Sequence, residues 1–204
     1  MSEELKIYDG KRNELGIADR DEVHKRGYWH ETFQCWFVDQ KDGINYIYLQ
    51  QRSNEKKDFP NLFDITAAGH LLSTETVTDG VREIHEEMGI DVNFDELISL
   101  GVLEDPIETN NFLDMEWANV YLYHLKDTDE FNLQQEEVSG MVKTTINDFS
   151  DLCFDKKNEM KVEGFEINEI GQKTTINRNI SLDNIVPHRK AYLQQVVEQI
   201  SRHF

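Results

Sequence analysis

The chain has 204 residues, 38% of them hydrophobic, with 40 acidic against 21 basic side chains and a formal net charge of −19 at pH 7. That is enough apolar material for one core burying roughly 70% of the unfolded surface without disulfides or a structural metal, so a single domain over 1–204 is the economical count. So acidic a chain is a poor partner for nucleic acid and for anionic membrane surfaces.

In chain order, the opening MSEELKIYDG lacks the basic and apolar regions of a signal peptide. No run of about 18 apolar residues follows to span a bilayer, so a cytoplasmic location is expected. Residues 33–38 and 46–51, rich in aromatic and β-branched residues and separated by an Asp42-Gly43 turn, read as strands. Cys35 lies in the first strand and Cys153 far along the chain; both read as buried thiols in a reducing compartment. Next comes 69–90, GHLLSTETVTDGVREIHEEMGI. Thr76 and Asp79 form a capping box that starts a helix near Val77, and Gly89 is a natural residue to end it after Met88. Glu83, Glu86 and Glu87 stand at i, i+3 and i+4, on one face of that helix. Such like-charge pairs cost a few tenths of a kcal/mol each, and alone they would read as a solvated acidic face. A divalent cation reverses the sign, since carboxylate oxygens are the ligands Mg²⁺ and Mn²⁺ prefer. Gly80 costs roughly 1 kcal/mol of helix propensity, which points to close backbone packing, and the preceding AAGH reads as a loop passing close to something.

Further strands are expected at 97–103, 116–123 and 138–146, and a short helix at 149–152. Residues 155–184 are polar and without strong periodicity, and read as an insertion carrying a hairpin or a lid. A C-terminal helix over 187–203 has Pro187 in its first turn and Leu193, Val197, Ile200 and Phe204 along one face. Helices and strands in this mixture make an α/β (α+β) chain.

The segment 69–90 resembles the Nudix box, G-x5-E-x7-R-E-U-x-E-E-x-G-U with U a bulky aliphatic residue. It matches at Gly69, Glu75, Arg82, Glu83, Ile84, Glu86, Glu87, Gly89 and Ile90. Six residues rather than seven separate Glu75 from Arg82, so the pairing that orients the family's helix must be made across a segment one residue short. The resemblance implies an αβα sandwich with a central mixed β-sheet and a loop-helix-loop catalytic motif. It implies a hydrolase of a phosphoric anhydride bond in a nucleoside diphosphate joined to another moiety. It also implies Mg²⁺ or Mn²⁺ held by Glu83, Glu86 and Glu87 near the carbonyl of Gly69, with Glu86 first and Glu83 next in importance. Within 134–138, Glu136 or Glu137 could serve as base or further ligand, or simply sit in a solvated segment before a strand. A tryptophan, Trp29, Trp36 or Trp117, could stack on a base. Dimerisation is common in the family, which allows a homodimer, although no residue marks an interface.

The flanks of the box are similar to the branch that includes isopentenyl diphosphate isomerase. That branch implies that Arg52 with Lys56 or Lys57 binds a diphosphate, and that His24, His30 and His70, with Asp114 and Glu116, hold a second metal. The isomerase also needs a cysteine two residues before the histidine of its box, and Ala68 stands there. Without the thiol its proton-transfer pair is incomplete, so the hydrolase is favoured. A catalytically silent binding module is the remaining alternative, and the three intact carboxylates speak against it.

Overall fold

The computed structural model describes residues 3–109, 112–168 and 170–204. An antiparallel pair, β1 (Glu4–Tyr8) and β2 (Glu14–Asp19), leads into α1 (Arg20–Arg26). The long β3 (Trp29–Lys41) and β4 (Ile44–Arg52) form a hairpin whose turn, Asp42-Gly43, takes positive φ at both residues, as a two-residue turn matching strand twist requires. Two short strands, β5 (Phe63–Asp64) and β6 (Ala67–His70), precede α2 (Arg82–Met88). The chain continues through β7 (Ile98–Glu108), β8 (Leu113–His124), β9 (Val138–Thr145) and α3 (Ile146–Cys153). A hairpin of β10 (Met160–Ile167) and β11 (Lys173–Ile180) and the helix α4 (Lys190–Ile200) follow.

β3 is the spine of the sheet. One edge runs parallel to β8 from Trp29 to Val38, while the other pairs in turn with β1, β6 and β4, all antiparallel. The sheet is therefore mixed, as expected. Alternation along β3 sends Phe33, Cys35 and Phe37 to a core shared with Ile84 and Met88 of α2. Trp36 and Val38 go to the opposite core with Phe149 of α3 and Leu193, Val197 and Ile200 of α4. This is the αβα sandwich.

The face that carries Trp36 changes character along the strand. In β3 it reads His30, Thr32, Gln34, then Trp36 and Val38; in the parallel neighbour β8 it reads Asp114, Glu116, then Ala118, Val120 and Leu122. Because the strands run the same way, their polar halves lie side by side at one end of the sheet. The other halves make core, and a polar cavity opens where the apolar residues stop.

All five expected strands form, and all are extended by pairing or trimmed by a residue. The AAGH segment is strand β6 rather than loop, because its backbone completes the ladder with β3. Asp79 does accept from Thr76, at 2.8 Å from the backbone N and 2.7 Å from Oγ1. However, the helix starts two residues after Val77, as a 3₁₀ turn at Asp79–Val81 that passes into α2 at Arg82. Gly89 ends α2 with φ +69° and donates to the His85 carbonyl, as expected. Pro187 lies before α4 rather than in its first turn, and Phe204 is 42% exposed instead of joining the buried face. Within residues 155–184 the described residues hold the hairpin, and β10 adds to β9 in the sheet. Among the described residues, no helix is long and apolar enough to cross a membrane.

Gly80 meets Phe33: a Cβ at Gly80 would sit 2.6 Å from the Phe33 Cβ. Replacing Gly by Ala inside a helix normally stabilises by about 1 kcal/mol. Here Gly80→Ala is expected to destabilise by about 1–3 kcal/mol, since the clash is with a Cβ that cannot swing away. Urea unfolding of the two proteins checks this, and a stabilised variant would contradict the close packing.

Candidate active site

α2 presents its carboxylates to a cavity of about 710 Å³. Glu83, Glu86 and Glu87 all line it, with Glu87 the deepest and Glu86 the most open, its side chain 49% exposed. Glu83 lies against Gly69, where a Cβ would come within 2.1 Å of its Oε1, so any larger residue would displace the carboxylate. Glu87 Oε2 accepts from Gln50 Nε2 at 3.1 Å and from the Ala68 N–H at 3.0 Å.

Arg82 organises the group. Its Nε and Nη2 donate to the two oxygens of Glu75 at 2.6 and 2.9 Å, and Nη2 also reaches the His70 carbonyl at 3.2 Å. Nη1 bonds Glu83 at 2.6 Å and Glu86 at 3.0 Å. The Glu75–Arg82 pairing is thus made despite the shortened spacing.

Burial pushes the Glu83 carboxyl up to about 7, with Arg82 pulling the other way and Glu86 adding to the rise. Burial, with help from Glu83, also pushes Glu87 well above the ordinary carboxylate value. Crowded acids of this kind ionise together only beside a cation, so the donor set fits a hard divalent metal.

Of the three basic residues expected to bind a diphosphate, Arg52 and Lys56 line the cavity. Arg52 donates from Nη1 to Asp64 at 2.8 Å and from Nε and Nη2 to the Asp58 carbonyl at 3.2 and 2.9 Å. Lys56 is ion-paired with Glu137, which also lines the cavity. Lys57 is a correction: it points to solvent, 72% exposed, and pairs with Asp21. The tryptophans are another. Trp36 is core, Trp29 and Trp117 pack on each other with centroids 4.7 Å apart, and none lines the cavity. Its aromatic surface comes from Phe59 and Phe112, which meet edge to face at 5.8 Å.

The three histidines do converge. One ligand-capable atom from each of His24, His30, His70 and Asp114 lies within 4.8 Å of the others. His24 Nδ1 donates to the Arg20 carbonyl at 2.9 Å and His30 Nδ1 to the Tyr28 carbonyl at 3.1 Å. Each Nε2 is thereby turned towards Asp114 Oδ1, at 3.3 and 3.2 Å, yet these buried atoms complete no hydrogen bond. Converging lone pairs without a proton between them fit a cation. Glu116 lies outside this cluster: its Oε2 accepts from Gln34 at 2.7 Å and Thr32 at 3.1 Å, and burial pushes its carboxyl well up. Asp114, the other carboxylate expected beside the histidines, lies in the cluster.

A family profile described as NUDIX domain matches residues 13–161. The chain belongs to the Nudix hydrolase family. An uncharacterized Nudix hydrolase of Clostridium acetobutylicum is 35% identical over 202 residues, 98% of each chain. Isopentenyl-diphosphate Delta-isomerase 2 of Photorhabdus laumondii is 26% identical over 136 residues, 66% of this chain and 74% of its own. Among solved structures, the fold resembles that of DR0079 from Deinococcus radiodurans, with TM-score 0.54 at 19% identity over 71% of this chain and 85% of the other. A MutT/nudix family protein from Enterococcus faecalis gives TM-score 0.52 at 11% identity over 84% and 61%.

The cavity residues Phe59, Asp64, Phe112 and His188, and Gln50 that supports Glu87, are not marked by the box or its flanks. Asp64 had a signal, a carboxylate inside the apolar run Phe63–Ile65, since buried acids are almost always paired. Gln50 and His188 carry none.

The raised Glu83 makes stability depend on pH with a definite sign. Its folded value, about 7, lies above the ordinary 4.5, so the metal-free folded state binds more protons in that window and loses stability as pH rises through it. Glu83→Gln removes this term, so its stability relative to the parent should grow between about pH 4.5 and 7 in the presence of a chelator. Melting curves across that range test this, and a pH-independent difference would count against a proton-holding Glu83.

Proposed function

We propose that the protein is a divalent-metal-dependent hydrolase of a diphosphate linkage, acting on a nucleoside diphosphate joined to a second moiety. One arrangement carries the reading: the carboxylates of Glu83, Glu86 and Glu87 and the cations of Arg52 and Lys56 line the same cavity. Glu83, Glu86 and Glu87, beside Gly69, would hold Mg²⁺ or Mn²⁺. Such a metal would supply Lewis-acid chemistry there, acidifying a water and offsetting negative charge on the phosphates.

The chain's own groups do the rest. Arg52, held on two sides, offers its remaining N–H groups to the diphosphate, and Lys56 adds a mobile charge. Glu86 or Glu137 accepts the proton of the attacking water; Glu137 is kept beside the cavity by its ion pair with Lys56. Phe59 and Phe112 offer apolar surface to the second moiety.

The histidine cluster beside Glu116 favours one competing reading, an isomerase of isoprenoid diphosphates with a metal at His24, His30, His70 and Asp114. Ala68 opposes it, because a methyl group transfers no proton. A Mg²⁺-dependent phosphate-release assay over nucleotide sugars, dinucleoside polyphosphates, nucleoside triphosphates and isoprenoid diphosphates separates the two. Hydrolysis is expected with the nucleotide compounds, and Glu86→Gln should slow it by roughly a hundredfold or more. Interconversion of isopentenyl and dimethylallyl diphosphate, or hydrolysis indifferent to Glu86→Gln, would overturn the proposal.

A further inference from the structure

The segment after β11 contains no part of the box, yet it reaches the cavity. Ile185 bridges to Phe63 and the Val186 N–H donates to the Phe63 carbonyl at 2.8 Å, laying the segment beside β5. His188 is thereby set between two buried carboxylates. Its Nδ1 is 2.6 Å from Asp105 Oδ2 and its Nε2 is 2.8 Å from Asp64 Oδ1, with all three side chains 6% exposed or less. Carboxylates only accept, so both ring nitrogens donate and the ring is an imidazolium. Burial alone would discharge it, and Asp105 and Asp64 hold it charged.

Asp64 is shared. While Oδ1 faces His188, Oδ2 accepts from Arg52 Nη1 at 2.8 Å. Because Asp64 divides its charge between two cations, Arg52 keeps positive character towards the cavity. Three of the five guanidinium N–H groups are committed, one to Asp64 and two to the Asp58 carbonyl, and two remain for a ligand. His188 also borders the cavity, but it has no donor left.

We propose that His188 is a positioning residue that works through Asp64 to fix the Arg52 guanidinium in the orientation that grips a diphosphate. This rests on the reading of Arg52 as a diphosphate ligand. It differs from a purely structural role in one respect: its effect on binding must pass through Arg52.

The test is a double-mutant cycle on the full chain, with inorganic diphosphate and Mg²⁺ as the probe, read by calorimetry. His188→Gln should weaken binding about tenfold and Arg52→Ala at least as much, while the double variant binds no more weakly than Arg52→Ala alone. In parallel, the Arg52 Nε–H resonance should be sharp and slowly exchanging in the parent and broadened in His188→Gln. Full affinity in His188→Gln, or additive losses in the double variant, overturns the proposal. If His188→Gln fails to fold, Asp64→Asn, which keeps the His188–Asp105 contact, replaces it with the same expectations. A parent that binds diphosphate but hydrolyses nothing sinks the hydrolase reading and leaves the cycle to decide on His188. A parent that does not bind diphosphate sinks Arg52 as a ligand and with it this proposal.

Discussion

Arg82 is the contact on which the rest of the site depends. Its five N–H groups meet Glu75, Glu83, Glu86 and the His70 carbonyl, so one planar cation joins the loop after β6, the strand itself and the first turn of α2. Without it, Glu83 and Glu86 would repel each other on a helix of only seven residues, too short to stand on its own propensity. Lysine could not substitute, since it has three donors on a flexible stem rather than a planar fork. The guanidinium does not neutralise the group, however: Glu83 still sits near pH 7, and burial holds Glu87 well above the ordinary carboxylate value. Arg82 sets geometry and leaves the remaining charge for a metal to meet.

The cavity in front of α2 exists because of the polar half-faces of β3 and β8. Parallel pairing is what puts them together; an antiparallel partner with the same pattern would set its polar half against the apolar half of β3. Apart from the His24, His30 and Asp114 atoms that converge without a hydrogen bond, polar groups here are satisfied in connected sets. Gln34 donates to Glu116 and accepts from Tyr192 of α4, Gln50 supports Glu87, and His188 ties Asp64 to Asp105. The C-terminal helix therefore does more than cover the core, since its approach also brings polar groups to the cavity wall.

What was legible in the chain follows from how local each signal is. The box could be read because helix periodicity, a capping turn and an αL glycine are fixed by neighbours within four residues. β1, β2 and α1 could not: their residues are mostly exposed or half-exposed, and they form by tertiary docking, β1 on β3, β2 on β1 and α1 against β8 and the β1–β2 pair. Lys56 and Lys57 are adjacent in an irregular loop, and nothing in the spacing shows that one turns to Glu137 and the other to solvent. The tryptophans failed as stacking candidates because a large ring is more often buried against other rings. Trp36 lies beside Phe149, and Trp29 pairs with Trp117. His188 stands 124 positions from Asp64, and only the tertiary fold joins them.

The missing residue between Glu75 and Arg82 has a geometric account. An α-helix rises about 1.5 Å per residue and turns about 100°, whereas a 3₁₀ helix rises about 2.0 Å and turns about 120°. Three residues of 3₁₀ helix therefore advance about 6 Å through about 360°, while four α-helical residues advance the same 6 Å through about 400°. The turn at Asp79–Val81 is such a three-residue stretch. It reaches as far along the axis as an α-helical segment one residue longer, and the difference of roughly 40° is small enough for a flexible arginine side chain to absorb. Arg82 thus arrives opposite Glu75, and every residue after it keeps its α-helical phase. A deletion placed after Arg82 would instead have rotated Glu86 and Glu87 by about 100° each, off the cavity. The box tolerates a shorter sequence on one side of its arginine because the chain there can tighten, and it cannot on the other because the carboxylates are counted from that residue.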